Sequence, residues 1–334
     1  MNLKTLEDTS KVAKTTAVKN QIIKYKEQGT IAFKLLIKTQ NDGLQLNMRE
    51  LMSYPLTTVP FSIATADDYL AKTGKAKAFH YLVKDQPDAD IPPLSETLTV
   101  YDGNAYFHNM MDIPVTFAEI SSKLFDSIAP SGSGDIIFST DQYKPGSIKS
   151  LERKRRGCGE KLIIGSGATK RPTDWKLFLT NDDNKVQFIR LLLKLWSSDD
   201  YAVKLQGRKI ILVCEDSAHL LTSDDGITTK IKELPLLKSS QEETDTRVVL
   251  YTQYAANSHY NTVRIKSPDS DIFFMLLHFA STMDINILFD TKIQRRSRLI
   301  NVTSTAADIG QEKCTALLGL RGFTGSDTSS AFRG

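Results

Sequence analysis

Three times in this chain a short run rich in β-branched and aromatic residues ends in aspartate and passes into a helical stretch: LTVYD (98–102), DIIFSTD (135–141) and TVRIKSPDSD (262–271). Runs of that length and composition read as strands. Strands that alternate with helical stretches imply crossover connections, and these belong to parallel sheets. Strand-like KIILVCED (209–216) and NILFD (286–290) continue the series. Helical patterns fall over 105–128 with a break near Pro114, over 185–196, 242–256 and 272–280, and over a final helix at 308–320. The expected class is α/β: a mostly parallel central sheet flanked by helices. Residues 1–50 read as helical and basic. Residues 51–95 change character, and the segment SYPLTTVPFSIATADDY (53–69) reads as extended and packed on a neighbour. The Pro92-Pro93 pair marks the expected boundary. It separates a mainly helical N-terminal accessory region, 1–95, from the main domain, 96–334.

Composition narrows the chemistry. The 334 residues are enough for one large or two modest cores. No run of 18 or more apolar residues occurs, so no membrane span or membrane partner is expected. The N-terminus has no apolar stretch behind its charges, so a secretory signal is not expected and the reading is intracellular, nucleus or cytoplasm. Cys158, Cys214 and Cys314 lie far apart without a CxxC pair, and the five histidines are equally scattered. That disfavours a zinc site and a disulfide framework. A bound metal would have to be held by carboxylates, which favours Mg²⁺ or Mn²⁺.

Open parallel sheets bind ligands beyond the carboxyl ends of their strands. Asp102, Asp141, Asp269 and Asp271 fall there. Glu243 and Asp245 open the helix at 242–256, and Asp327 sits in the loop GFTGSD beyond the last helix. Any one of these acids alone reads best as a solvated loop residue or a helix cap. Seven converging would repel strongly unless cations or protons were bound among them.

The segments VYDGNAYFH, IIFSTDQYKPGSIKSLERKRRG, QEETDTRVVL, SPDSDIFFMLL and LRGFTGSDTSSAF resemble, in order and character, the flap-endonuclease/XPG branch of the PIN-like nuclease superfamily. They are most similar to animal proteins with motifs of the type EEADTR, SPDTD and FTGCD. The resemblance covers roughly residues 96–334. It implies that Asp102 and Asp141 correspond to the first two acids of the branch, and Glu243 and Asp245 to its E-x-E pair, with Asp in the second place. Asp269 and Asp271 correspond to its D-x-D pair and Asp327 to its last acid. All seven are then candidate catalytic residues, and Asp102, Glu243, Asp245, Asp269, Asp271 and Asp327 the candidate metal ligands. The implied activity is phosphodiester hydrolysis in DNA or RNA with two Mg²⁺ or Mn²⁺ ions roughly 4 Å apart. Two departures stand out. The branch's helix-hairpin element has no counterpart after Asp327, so the domain is expected to lack its C-terminal end. About a hundred residues also separate Asp141 from Glu243, with an expected insert at about 150–235.

Between Lys144 and Lys176 stand ten basic residues against three acids. Lys149, Arg153 and Arg156, spaced i, i+4, i+7, would share a helix face, with Arg155 beside them. Next to the acids such a face reads as nucleic-acid-binding, DNA first; by itself it would read as a solvated helix or an import signal. Gly165–Lys170 lacks phosphate-loop spacing and reads as a turn. Trp175 and Trp196 read as core. Two alternatives stay open: a catalytically inactive PIN-like module that binds nucleic acid or protein, and a metal-dependent hydrolase of small phosphorylated substrates.

Overall fold

The computed structural model describes residues 76–144, 146–147, 158–293 and 296–323. Within the first 75 residues it describes an isolated strand pair and positions 37, 47 and 49. The chain divides into two units, Met1–Lys75 with Gly319–Gly334, and Ala76–Leu318. In the first unit β1 (Lys14–Val18) pairs antiparallel with β2 (Gln21–Tyr25). Over those residues the structure has strands where the sequence reading has helix. KTTAV and QIIKY are rich in Thr, Val and Ile, residue types that favour strands over helices. The rest of the helical expectation for this extension lies outside the described residues.

The second unit begins with α1 (Ala76–Val83). Phe79 and Val83, four apart on this helix, are both buried in the core, and the segment 53–69 expected to be extended lies outside the described residues. Next come β3 (Thr97–Asp102), α2 (Gly103–Asn109), α3 (Phe117–Ile128) and β4 (Asp135–Ser139). The chain continues through α4 (Trp175–Leu179), α5 (Asp182–Trp196), α6 (Ala202–Leu205), β5 (Ile210–Cys214), β6 (Ser217–Thr222) and β7 (Lys230–Glu233). It closes with α7 (Thr244–Ala256), β8 (Thr262–Lys266), α8 (Ser270–Phe279), β9 (Asn286–Ile293), β10 (Arg296–Asn301), α9 (Val302–Ile309) and α10 (Gln311–Phe323). The final helical stretch is broken at Gly310, whose φ of 86° suits glycine.

Eight strands form one sheet in the order β10-β9-β8-β3-β4-β5-β6-β7. The five central strands β9, β8, β3, β4 and β5 are parallel, and β10, β6 and β7 add antiparallel edges. The α/β class with a mostly parallel, helix-flanked sheet is therefore what the chain adopts. The stretch expected as an insert supplies β5, β6 and β7 to the same sheet. Alternation along the strands divides the core into two layers. Leu98, Val100, Val263, Ile265, Ile287 and Phe289 face α1, α7, α8 and α9. Ile136, Phe138, Ile210 and Leu212 face α2, α3, α4 and α5. Trp175 and Trp196 are buried in the second layer, as expected. Their indole N–H groups donate to Phe107 O at 3.0 Å and to Ser121 Oγ at 3.0 Å, removing the cost of an unpaired donor. Among the described residues no helix is long and apolar enough to cross a membrane.

Candidate functional site

Strand order reverses beside β3. The chain first builds outward through β4 and β5, then returns by α7 to place β8 on β3's other edge. Crossovers on opposite faces diverge at such a point and leave a crevice at the strand ends. Asp102 is the last residue of β3. Its Oδ1 accepts from Ala105 N at 3.0 Å as the cap of α2. Gly103 is required at this corner, since a Cβ there would lie 2.6 Å from Ser139 O and 2.7 Å from a Phe138 ring carbon.

Two hydrogen-bonded staples join distant segments at this edge. In the first, Ser267 donates to Asp102 Oδ2 at 2.9 Å and accepts from Asp269 N at 3.1 Å, tying the end of β3 to the loop after β8. Asp269 then caps α8, accepting from Asp271 N at 2.8 Å. The second staple joins the end of β4 to the start of α7. Asp141 Oδ1 accepts from Thr244 N at 2.9 Å, Gln142 N donates to Glu242 O at 2.7 Å, and the Ser139 and Thr244 hydroxyls lie 3.1 Å apart. Fully buried Arg247 donates from Nε to Gln241 O at 2.9 Å and from Nη1 to Thr140 O at 3.2 Å, bridging the same two segments. Glu243 is the residue before α7, and Asp245 lies in its first turn.

The electrostatics report how closely the acids gather. Burial pushes the Asp245 carboxyl up to about 9, reinforced by the charges of Asp269, Asp102, Asp141 and Glu243. Burial likewise raises Asp102 to about 6, with Asp141 and Asp269 adding to the shift. Asp102 accepts two hydrogen bonds and sits at a helix start, and both favour its charged form. A helix start contributes only about 0.3–1 kcal/mol; burial and like charge outweigh it. Five of the seven expected acids thus share one electrostatic neighbourhood, and Asp271 follows in the first turn of α8. Asp327 and the basic residues Lys149, Arg153, Arg155 and Arg156 lie outside the described residues.

The donor set consists of oxygens alone, which suits a hard divalent cation. Among the described residues, however, no three His, Cys, Asp or Glu side chains stand close enough to form a ready ligand group. Two other members of the basic run are committed elsewhere. Arg171 donates to the carbonyls of Ile113, Pro114, Pro172 and Thr173, and Lys161 pairs with Asp183 at 2.8 Å. Sequence reasoning missed Ser267 and Arg247. Ser267 stands two residues before Asp269 in SPDSD and Arg247 two after Asp245 in EETDTR, but nothing in the pattern says which segment each reaches. No family model, curated protein or solved structure matches the chain.

Proposed function

We propose that Ala76–Leu318 carries the centre of a metal-dependent nuclease, PIN-like and of the flap-endonuclease/XPG kind, hydrolysing phosphodiester bonds. The observation that carries this reading is the grouping of Asp102, Asp141, Glu243, Asp245 and Asp269 around the switch point of a parallel sheet. A proton retained on Asp245 to about pH 9 marks a place where positive charge is wanted. Asp102, Glu243, Asp245, Asp269 and Asp271 would hold Mg²⁺ or Mn²⁺; Asp327, which the resemblance adds, lies outside the described residues. Mg²⁺ keeps several of its waters, which suits carboxylates that do not close into a shell. Once bound, the ions would supply a more acidic water and charge stabilisation of the leaving oxygen.

The chain's own contributions follow from its contacts. Ser267 fixes the Asp102 and Asp269 segments relative to each other, and Asp141 with Arg247 fixes the start of α7. Asp102, with its carboxyl near pH 6, is able to exchange a proton near neutrality. Lys149, Arg153, Arg155 and Arg156 are the candidate guides for the phosphates of a nucleic acid, DNA first. The test is Mg²⁺- or Mn²⁺-dependent cleavage of single-stranded and branched DNA and RNA by wild type, Asp102→Asn and Asp269→Asn. Cleavage by the wild type and its loss in both variants are expected; equal activity in all three ends the proposal.

The open spacing of the acids favours a second reading, a catalytically inactive module on the same fold. A Mn²⁺ titration followed by thermal melting separates the two. A metal centre predicts stabilisation that grows with ion concentration, and an inactive module predicts none.

A further inference from the structure

Beside the acids, one face of the sheet carries charge where a core would carry apolar side chains. Along β8, Val263 and Ile265 point into the layer beneath α7 and α8, so Arg264 and Lys266 point to the opposite face. Asp290 of β9 lies on that face too, accepting from Arg264 Nη2 at 2.7 Å and Nε at 3.0 Å. Lys266 Nζ stands 3.7 Å from the same carboxylate. Two cations therefore share one anion in a half-buried setting, and exposed Lys292 of β9 adds a third positive charge nearby.

These residues line a cleft of about 820 Å³ that reaches Asp102 and Ser267 of the candidate centre. Its surface is also aromatic. The Lys266 ammonium lies 4.9 Å from the Tyr101 ring centroid, and the partly exposed Tyr106 ring packs edge-on to Tyr101 at 6.0 Å. Asp112 and Lys123 line the cleft as well, with Lys123 Nζ donating to Asp112 O at 2.7 Å. Against the carboxylates of Asp102, Asp112 and Asp290, the four cations Lys123, Arg264, Lys266 and Lys292 leave the lining with a net positive charge. Burial and the neighbouring guanidinium lower the pKa of Lys266, outweighing the opposing pull of the Asp290 carboxylate that the two cations share.

We infer that this cleft is a track for a single-stranded polynucleotide passing to or from the acid cluster, with phosphates on Arg264, Lys266 and Lys292 and a base against Tyr106. Cations that follow a backbone, together with an aromatic ring that stacks on an unpaired base, are the two requirements of single-strand binding. A duplex satisfies only the first, because its bases are already stacked on one another. The inference rests on the nuclease reading for its direction, since Asp102 and Ser267 belong to both sites.

The test is fluorescence anisotropy of labelled oligothymidylate and of a labelled duplex, in EDTA to prevent cleavage, over a range of KCl concentrations. Lys292→Glu alters an exposed side chain and should leave the fold unchanged by circular dichroism. Lys266→Gln probes the buried end of the track. Salt-sensitive binding of the single strand by wild type is expected. Each variant should weaken it about tenfold, and loss of a phosphate contact should make the slope of log affinity against log salt shallower by about one. Asp269→Asn should bind as well as wild type or better. Wild-type binding unchanged in both variants, duplex bound as tightly as single strand, or no binding by wild type would each overturn the track. Failure of wild type to cleave while it still binds through these lysines would count against the nuclease reading alone.

Discussion

The parallel sheet carries aspartates at both ends of its strands, and the two ends treat them in opposite ways. Asp135, at the start of β4, accepts from Lys209 N at 2.7 Å and from the Tyr260 hydroxyl at 2.6 Å, with Lys209 Nζ 3.8 Å away. Both its oxygens are occupied by donors. Asp245, at the opposite end, has four acids as its electrostatic neighbours and keeps a proton to about pH 9. One end uses a carboxylate to close the structure; the other crowds carboxylates at a cost in stability. Crowding of like charge that lowers stability is the physical mark of a site.

The largest expected effect lies in activity. Asp269→Asn and Asp102→Asn should each reduce metal-dependent cleavage by at least about a hundredfold, since even outer groups at metal centres cost ten- to a hundredfold. Asp135→Asn, equally an Asp at a strand end of the same sheet, should cleave at the wild-type rate once its folded fraction is matched. Comparable losses in all three variants would mean that the two ends do not differ in function.

The second effect concerns stability and pH. A carboxyl whose folded-state pKa lies above its unfolded value of about 3.9 keeps its proton longer in the folded chain. Between that value and about 9 the unfolded chain binds fewer protons at Asp245, so stability falls as pH rises through this window. Asp102 adds a shorter decline that ends near pH 6. Metal-free protein should therefore lose melting temperature from mildly acidic to alkaline pH. Asp245→Asn should flatten the curve above pH 6 and raise the melting temperature at pH 8. Mn²⁺ should restore most at high pH, because binding displaces protons. Parallel melting curves for wild type and Asp245→Asn would remove the electrostatic argument.

At the other end the sign reverses. Asn at position 135 offers one carbonyl oxygen where two donors need acceptors, and it turns an amide N–H toward one of them. The loss should be about 1–3 kcal/mol, the usual cost of an unmatched buried polar group, read from urea or thermal unfolding at neutral pH. Asp135→Asn should thus destabilise where Asp245→Asn stabilises.

What the sequence made legible follows from which signals are local. β-branched runs ending in Asp located β3, β4 and β8 and put Asp102, Asp141 and Asp269 at strand ends. β7 and β10 escaped notice because the edge strands KIKE and RSRLIN are rich in polar residues, and β6, SAHLLT, because its pairing is set by its neighbours rather than by pattern. α1 was not singled out, because Phe79 and Val83 show their helical spacing only against the core. The acids' identities were readable; the staples were not. A serine two residues before Asp269 gives no sign that its partner is Asp102, 165 positions away. The charged face of β8 was equally hidden, since alternation in TVRIK leaves open which side a helix will cover.

A third acid sharpens the comparison because it lies at a strand end on the same edge as the site. Glu215 directly follows β5, as Asp102 closes β3, and the run KIILVCED, like the motif-bearing runs, is a β-branched stretch that ends in acids. It stands outside the switch point, and Arg190 of α5 grips it with Nε at 3.1 Å and Nη2 at 2.9 Å. Both partners are about half exposed, with side-chain accessibilities of 61% for Arg190 and 45% for Glu215. Exposed ion pairs contribute about 0–1 kcal/mol, because solvent screens the attraction and side-chain entropy opposes it. Glu215→Gln should accordingly move stability by less than about 1 kcal/mol and preserve cleavage. A cleavage defect as deep as that of Asp269→Asn would extend the site across β4 to β5, and the company of other acids would no longer be what separates a catalytic carboxylate from an ordinary one.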